Sequence, residues 1–143
     1  MATVLVALPG GCAVGQWRSR PADKPLTRSE LASRNLSLAD DTHDSRLHEA
    51  FVRALASEGF TVVAHSPYHE DLEVTLSIAR APEGVVALAT LRSDGFFIDE
   101  ARAPLDGTVG TLAALARTLA ISQATADFVR NSGTPQQRNL SGQ

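Results

Sequence analysis

The sequence predicts an α+β fold in two layers, in which an antiparallel sheet of about four strands is covered by two helices in the order αββββα. Three patterns predict this fold. Apolar residues recur every three or four positions after residue 41, alternate with polar residues from residue 72, and return to helical spacing after residue 108. We therefore place the α+β domain in residues 41–130.

The first helix is predicted from Leu47, Phe51 and Leu55, which lie four residues apart and therefore share one helical face. The polar residues 41–44 offer N-cap side chains, and Gly59 stands where a C-cap glycine belongs. A run rich in β-branched residues follows at once, and it predicts a first strand joined to the helix by a short link.

The next three strands are predicted from alternation and from two tight turns. Polar and apolar residues alternate over 72–79, turn residues stand at 82–84 and 93–95, and apolar strands follow each turn. This pattern predicts an antiparallel meander. Asp99 and Glu100 are adjacent on its last strand, so we expect them to point to opposite faces rather than to form a catalytic carboxylate pair.

The second helix is predicted to start at Thr108. Leu112, Leu115 and Leu119 form one apolar stripe, and the apolar pattern extends this single helix to about Arg130. Residues 131–143 are polar and are predicted to be a disordered tail.

The first twelve residues allow two interpretations. Residues 2–8 are apolar apart from Thr3, and two glycines immediately precede Cys12, the only cysteine in the sequence. In the first interpretation Thr3–Leu8 is a further strand of the sheet. In the second, residues 1–12 are an apolar start or signal remnant, because secretory signals place an apolar stretch and then small residues before cleavage. Cys12 would then be a lipidation site.

Residues 13–40 are interpreted as an irregular tether, because prolines interrupt them and their leucines follow no sustained helical period. Trp17, Arg18 and Arg20 are candidate contacts with a partner. We interpret the basic residues of this segment as parts of a solvated linker, with acidic partner residues or lipid headgroups as the alternative. These residues are Arg18, Arg20, Arg28 and Arg34.

No catalytic centre is predicted. The densest set of metal-ligand types is His65, His69, Glu70 and Asp71, but Pro67 lies between the histidines and a solvated polar loop is expected there. No nucleophile motif of the G-x-S-x-G type is present. We therefore expect a protein that is not an enzyme and needs no metal or cofactor.

Composition narrows the class of partner. The formal net charge is −3, which argues against nucleic acid, because nucleic-acid binding relies on a basic surface. A single cysteine excludes a disulfide within the chain. No apolar run approaches the length of about 18 residues that a membrane-spanning helix needs.

The Gly-Gly-Cys12 sequence after an apolar start, the irregular segment and the patterns over 55–63 and 76–91 resemble small bacterial envelope lipoproteins. Among these, the sequence resembles most the conjugal-transfer lipoproteins of type IV secretion systems, of the TrbH type. The resemblance implies a protein without catalytic residues on the periplasmic face of the outer membrane. Its partners would be other protein subunits of an envelope complex, and the membrane through lipid on Cys12. The alternative is a cytoplasmic ligand-binding or regulatory domain.

Overall fold

The computed structural model describes residues 20–40, 42–64, 71–105 and 108–132. These residues form one sheet with helices packed against it, which confirms the predicted α+β class. The elements in chain order are α1 (Arg28–Ala32), β1 (Asn35–Asp40), α2 (Ser45–Glu58), β2 (Thr61–Val63), β3 (Leu72–Ala81), β4 (Gly84–Ser93), β5 (Phe96–Pro104), α3 (Thr108–Ile121) and α4 (Gln123–Ser132).

The sheet has five strands in the order β2-β1-β3-β4-β5. Strands β3, β4 and β5 form the predicted antiparallel meander. Strand β1, however, pairs in parallel with both β2 and β3, so the sheet is mixed rather than antiparallel and has one strand more than expected.

Strand β1 and helix α1 lie inside the segment that was interpreted as an irregular tether. Residues 35–38 alternate polar and apolar side chains, and Leu36 is fully buried while Ser37 is half-buried. Period-two alternation is the strand signal. Leu36 and Leu38 break the helical period because they belong to this strand, whereas Leu31 belongs to the short helix α1. This explains the difference from the prediction.

Helix α2 makes the parallel pairing of β1 with β2 possible, because parallel neighbours need a crossover connection. Asp44 caps the helix, with its Oδ1 accepting from the amides of Arg46 at 2.9 Å and Leu47 at 3.4 Å. Gly59 ends the helix with a φ of +120°, a conformation that glycine adopts without a Cβ penalty. Both predicted ends of this helix are therefore confirmed.

The core lies between the helices and one face of the sheet. Phe51 and Leu55 of α2 meet a buried stripe on α3, and both pack on alternate residues of the strands. The fully or almost fully buried leucines and valines of α3 and the sheet are Leu36, Leu72, Val74, Leu76, Leu91, Leu112, Leu115 and Leu119. Glu73, between two of these positions on β3, is exposed, so the opposite face of the sheet is polar at this strand.

The predicted last helix is two helices. It breaks at Ser122, whose Oγ accepts from the amide of Thr125 at 3.1 Å and so caps α4. Next to this residue, the carbonyl of Ile121 accepts from the amide of Ala22 at 2.7 Å. The backbone at the junction is paired with another segment, so the break that divides one continuous apolar pattern into two helices leaves these backbone groups hydrogen-bonded.

Several predictions fall outside the described residues. They concern the Thr3–Leu8 strand, the segment 1–12, and the tail from residue 133 onward. Within the described ranges, no helix has the length and apolar character needed to cross a bilayer.

Replacing Leu36 with alanine tests whether residues 35–40 are an internal strand. We expect Leu36→Ala to lower the free energy of unfolding by about 2–5 kcal/mol, because it opens a cavity in the core. Urea unfolding followed by circular dichroism measures this change. Ser37→Ala, on the opposite face of β1, is the matched control and should cost far less. If Leu36→Ala unfolds at the wild-type urea concentration, residues 35–40 are not part of the core.

Candidate functional site

The chain enters the domain along the junction between α3 and α4. We call residues 20–27 the N-terminal strap. The carbonyl of Arg20 accepts from the amide of Gln123 at 2.8 Å, and the amide of Asp23 donates to Oε1 of Gln123 at 3.3 Å. Ala22 and Leu26 of the strap are themselves buried against the domain. The segment that leads to Cys12 is therefore fastened to the domain from Arg20 onward.

A second attachment of the strap is made by Arg130 of α4. Its Nη1 donates to the carbonyl of Lys24 at 2.6 Å, and its Nη2 donates to the carbonyl of Pro25 at 3.2 Å. The same guanidinium donates two hydrogen bonds to the carboxylate of Glu30, from Nε to Oε2 and from Nη2 to Oε1, each 3.1 Å long. A planar guanidinium matches a carboxylate in this paired geometry. Arg130 therefore joins the C-terminal helix to both the strap and α1.

Glu30 also closes the start of α1. Its Oε1 accepts from the amide of Thr27 at 2.9 Å, while the Thr27 Oγ1 accepts from the amide of Glu30 at 3.1 Å. This reciprocal pair is a capping box. The hydrogen bond from Arg130, followed by the bond from the Thr27 backbone, lowers the pKa of Glu30 from 4.5 to about 2. The same interaction with Glu30 raises the pKa of Arg130.

A buried carboxylate lies beneath the junction. Asp99 of β5 is 1% exposed, and its Oδ1 accepts from the amide of Glu100 at 2.8 Å. Its Oδ2 accepts from the hydroxyl of Ser122, the residue that caps α4. Glu100 lies on the other face of the strand, where its Oε2 accepts from Thr90 Oγ1 at 3.4 Å. The expectation that Asp99 and Glu100 point to opposite faces of the strand is confirmed.

The interpretation of the N-terminal arginines as solvated linker residues is wrong for two of them. Arg34 is fully buried, and its guanidinium carbon lies 5.4 Å from the centre of the Phe128 ring. Arg28 donates from Nη1 to the carbonyl of Ser57 at 3.0 Å. Both arginines bind the segment before β1 to helices of the domain, because this segment is folded against the core and is not a linker.

Of the four site residues predicted from the sequence, the structure describes one. Cys12, Trp17 and Arg18 lie outside the described residues, so the lipidation site and two of the candidate partner contacts stay predictions. Arg20 is described, and its side chain is exposed although its backbone is held by α4. Its contact with a partner also stays a prediction.

The candidate metal ligands are described only in part. Asp71 is buried at the start of β3, whereas His65, His69 and Glu70 lie outside the described residues. Among the residues that the structure does describe, no three or more His, Cys, Asp or Glu side chains come together in a way that could hold a metal ion.

Sequence reasoning missed the strap and the residues that hold it. One signal was available, since Thr27 and Glu30 fit the S/T-x-x-E spacing of a capping box. The bonds of Ser122 with Asp99 and of Arg130 with Glu30 had no local signal, because 23 and 100 residues separate the partners along the chain.

The depressed pKa of Glu30 predicts how the attachment of the strap depends on pH. A carboxyl group with a lowered folded-state pKa contributes stability above its unfolded pKa, and this contribution is lost as pH falls through the folded value. We therefore expect Glu30 to stop stabilising the fold between pH 4.5 and about 2. Glu30→Gln keeps an acceptor for the capping box and removes the charge. It should be less stable at pH 7 and lose less stability over that acidic range, as measured by urea midpoints.

Glu58→Gln is the matched control for this charge removal. Glu58 makes one contact with Arg117, at 3.6 Å, and the Arg117 side chain is mostly exposed. A long ion pair with one partner mostly exposed contributes little to stability. We expect Glu58→Gln to remain close to the wild type at pH 7. An equal loss for Glu58→Gln and Glu30→Gln would contradict the role given to the Arg130–Glu30 pair.

No protein-family model matches the chain, and no curated protein matches it. Among solved structures, a minor lipoprotein from Acinetobacter baumannii is 16% identical with a TM-score of 0.33, and the match covers 71% of this chain and 95% of that one. The PelC dodecamer from Paraburkholderia phytofirmans is 13% identical with a TM-score of 0.42, over 71% and 92% of the two chains. The rare lipoprotein B from Shewanella oneidensis is 16% identical with a TM-score of 0.31, over 76% and 99%.

Proposed function

We propose that this protein is a non-catalytic interaction subunit of a bacterial envelope assembly, anchored to the membrane by lipid on Cys12. The observation that carries the proposal is the order of features at the start of the chain. The stretch 2–8, apolar apart from Thr3, is followed by small residues and then by the only cysteine. The fastened strap begins eight residues after Cys12.

The attachment of the strap suits an anchored domain. A pull transmitted from Cys12 would reach the domain at Arg20, where the backbone is bonded to Gln123. Arg130 then holds the next residues, through the carbonyls of Lys24 and Pro25. Two successive attachments would keep the domain folded and fix its orientation relative to the anchor.

The sheet offers the proposed contact surface for a protein partner. Glu73 is exposed on the face away from the helices, and Thr75 and Ser77 of the same strand are half-buried there. The free edge of an outer strand is used to recognise extended segments of other proteins, and the polar residues of β3 lie on the sheet face that the outer strands border. We propose that another envelope subunit docks on this face.

The finer proposal is that the assembly is a secretion or conjugation system and that the protein lies on the periplasmic face of the outer membrane. Its support is the resemblance of segments 55–63 and 76–91 to conjugal-transfer lipoproteins. The competing hypothesis, a cytoplasmic ligand-binding or regulatory domain, would place Thr3–Leu8 in the sheet. The outer strand β2 has one neighbour among the described strands and could accept such a pairing.

Mass spectrometry of the protein from the membrane fraction of its native host tests the anchor. We expect the first peptide of the mature protein to begin at Cys12 and to carry the mass of attached acyl chains. Cys12→Ser should lack this mass and leave the membrane fraction, while Ser19→Ala, seven residues further on, should behave as the wild type.

Recovery of a peptide that runs through Gly11 and Cys12 with an unmodified thiol would contradict the anchored function. A structure that shows Thr3–Leu8 paired with the sheet would favour the cytoplasmic alternative. Crosslinking in the native host, followed by identification of the captured subunits, would test the secretion or conjugation assignment separately.

A further inference from the structure

The turn between β4 and β5 carries two exposed aromatic side chains. Phe96 is 74% exposed and Phe97 is 49% exposed, although large apolar side chains are usually buried. The turn itself contains Asp94 and Gly95, both with positive φ. Since Phe96 and Phe97 are adjacent on a strand, they present rings on both faces of one projecting hairpin. We call these two residues the aromatic tip.

The aromatic tip lies on the same strand as the contact that holds the entry of the chain, and nearer to it than the other end of that strand. Phe96 precedes Asp99 by three residues, which is about 10 Å of extended strand. Asp99 accepts from the hydroxyl of Ser122, and the next amide, that of Gln123, donates to the carbonyl of Arg20. Two short contacts and three strand residues therefore connect Phe96 to the entry of the strap.

The length of chain before Arg20 limits how far this end can lie from an anchor. Eight residue steps separate Cys12 from Arg20. A fully extended segment of that length spans at most about 29 Å. Lipid on Cys12 would thus hold the entry of the strap within about 29 Å of the bilayer surface, and the aromatic tip lies three strand residues from the Asp99 contact at this entry.

The opposite end of β5 provides an internal comparison. Strand β5 has nine residues, Phe96–Pro104, and α3 begins just beyond it, with Thr111 Oγ1 donating to the carbonyl of Pro104 at 2.8 Å. Val109 in that first turn is 75% exposed. It is as exposed as Phe96 but lies about 27 Å further along the strand direction.

We propose that the aromatic tip inserts into the interfacial region of the bilayer that holds the lipid on Cys12, so that the domain sits on the membrane by its β4–β5 turn. This inference rests on the proposed anchored function. Aromatic and apolar side chains enter the boundary between headgroups and acyl chains to a depth of about 5–10 Å. Two charged residues lie near the tip in the chain: Arg92, which pairs in register with Phe97, and Asp94 in the turn. Their charges are of opposite sign. The attraction is therefore mainly apolar.

The test uses the full chain attached to vesicles through its only cysteine. Cys12 is coupled to a maleimide headgroup lipid in phosphatidylcholine vesicles whose acyl chains carry bromine, which quenches tryptophan on contact. Trp17→Phe removes the native tryptophan, and Phe96→Trp or Val109→Trp introduces a single reporter. We expect the reporter at 96 to lose about half or more of its emission, because that position reaches the acyl boundary. The reporter at 109 should keep its emission.

The inference would be overturned if the reporter at 96 emitted equally in brominated and unbrominated vesicles. It would also be overturned if bromine quenched the reporter at 109 as strongly as the reporter at 96. An emission shift at 96 that grows with protein concentration in solution, without quenching on vesicles, would mean that a second copy covers the tip. Chemical coupling at Cys12 makes the quenching independent of lipidation in the cell. The mass of the peptide that contains Cys12 therefore tests the anchored function, and the quenching of the tryptophan at 96 tests the inference.

Discussion

The hydrogen bond between the buried carboxylate of Asp99 and the hydroxyl of Ser122 is the constraint on which the arrangement of the helices depends. A carboxylate that is 1% exposed costs free energy unless donors satisfy it. Ser122 supplies one donor, and the amide of Glu100 supplies another. Because the same hydroxyl caps α4, the position of Asp99 on β5 fixes where α3 ends and where α4 begins.

The consequences of this junction extend to the start of the described chain. Breaking the helix at Ser122 frees the backbone of residues 121–123 to pair with residues 20–22, and the strap lies across that break. Helix α4 then carries Phe128 over Arg34 and Arg130 over Glu30. The segment before β1 is thereby held at three places. This network explains why residues that look like a linker in sequence belong to the folded domain.

The sequence could predict the elements whose signal is local. Helix α2, with Asp44 and Gly59 at its ends, and the meander of β3, β4 and β5 follow from periodicity and turn residues. Strand β1 has only a weak local signal, because the alternation covers just residues 35–38 of its six. Its parallel pairing and the break at Ser122 arise from contacts between distant residues. Of the lipidation site, the candidate partner contacts Trp17, Arg18 and Arg20, and the candidate metal ligands, the structure describes only Arg20 and Asp71. The local sequence predicted neither position.

Hydrogen exchange in the Ser122→Ala variant tests the central role of the junction most directly. Removing the hydroxyl that donates to buried Asp99 should cost about 1–3 kcal/mol and should act locally. We predict faster exchange at the amides of Ala22, Gln123 and Thr125, while the amides that pair β3 with β4 keep their protection. Thr118→Ala, which removes a hydroxyl bond within α3, should change none of these rates. Unchanged exchange at the junction, or an equal increase across the sheet and the junction, would contradict the account.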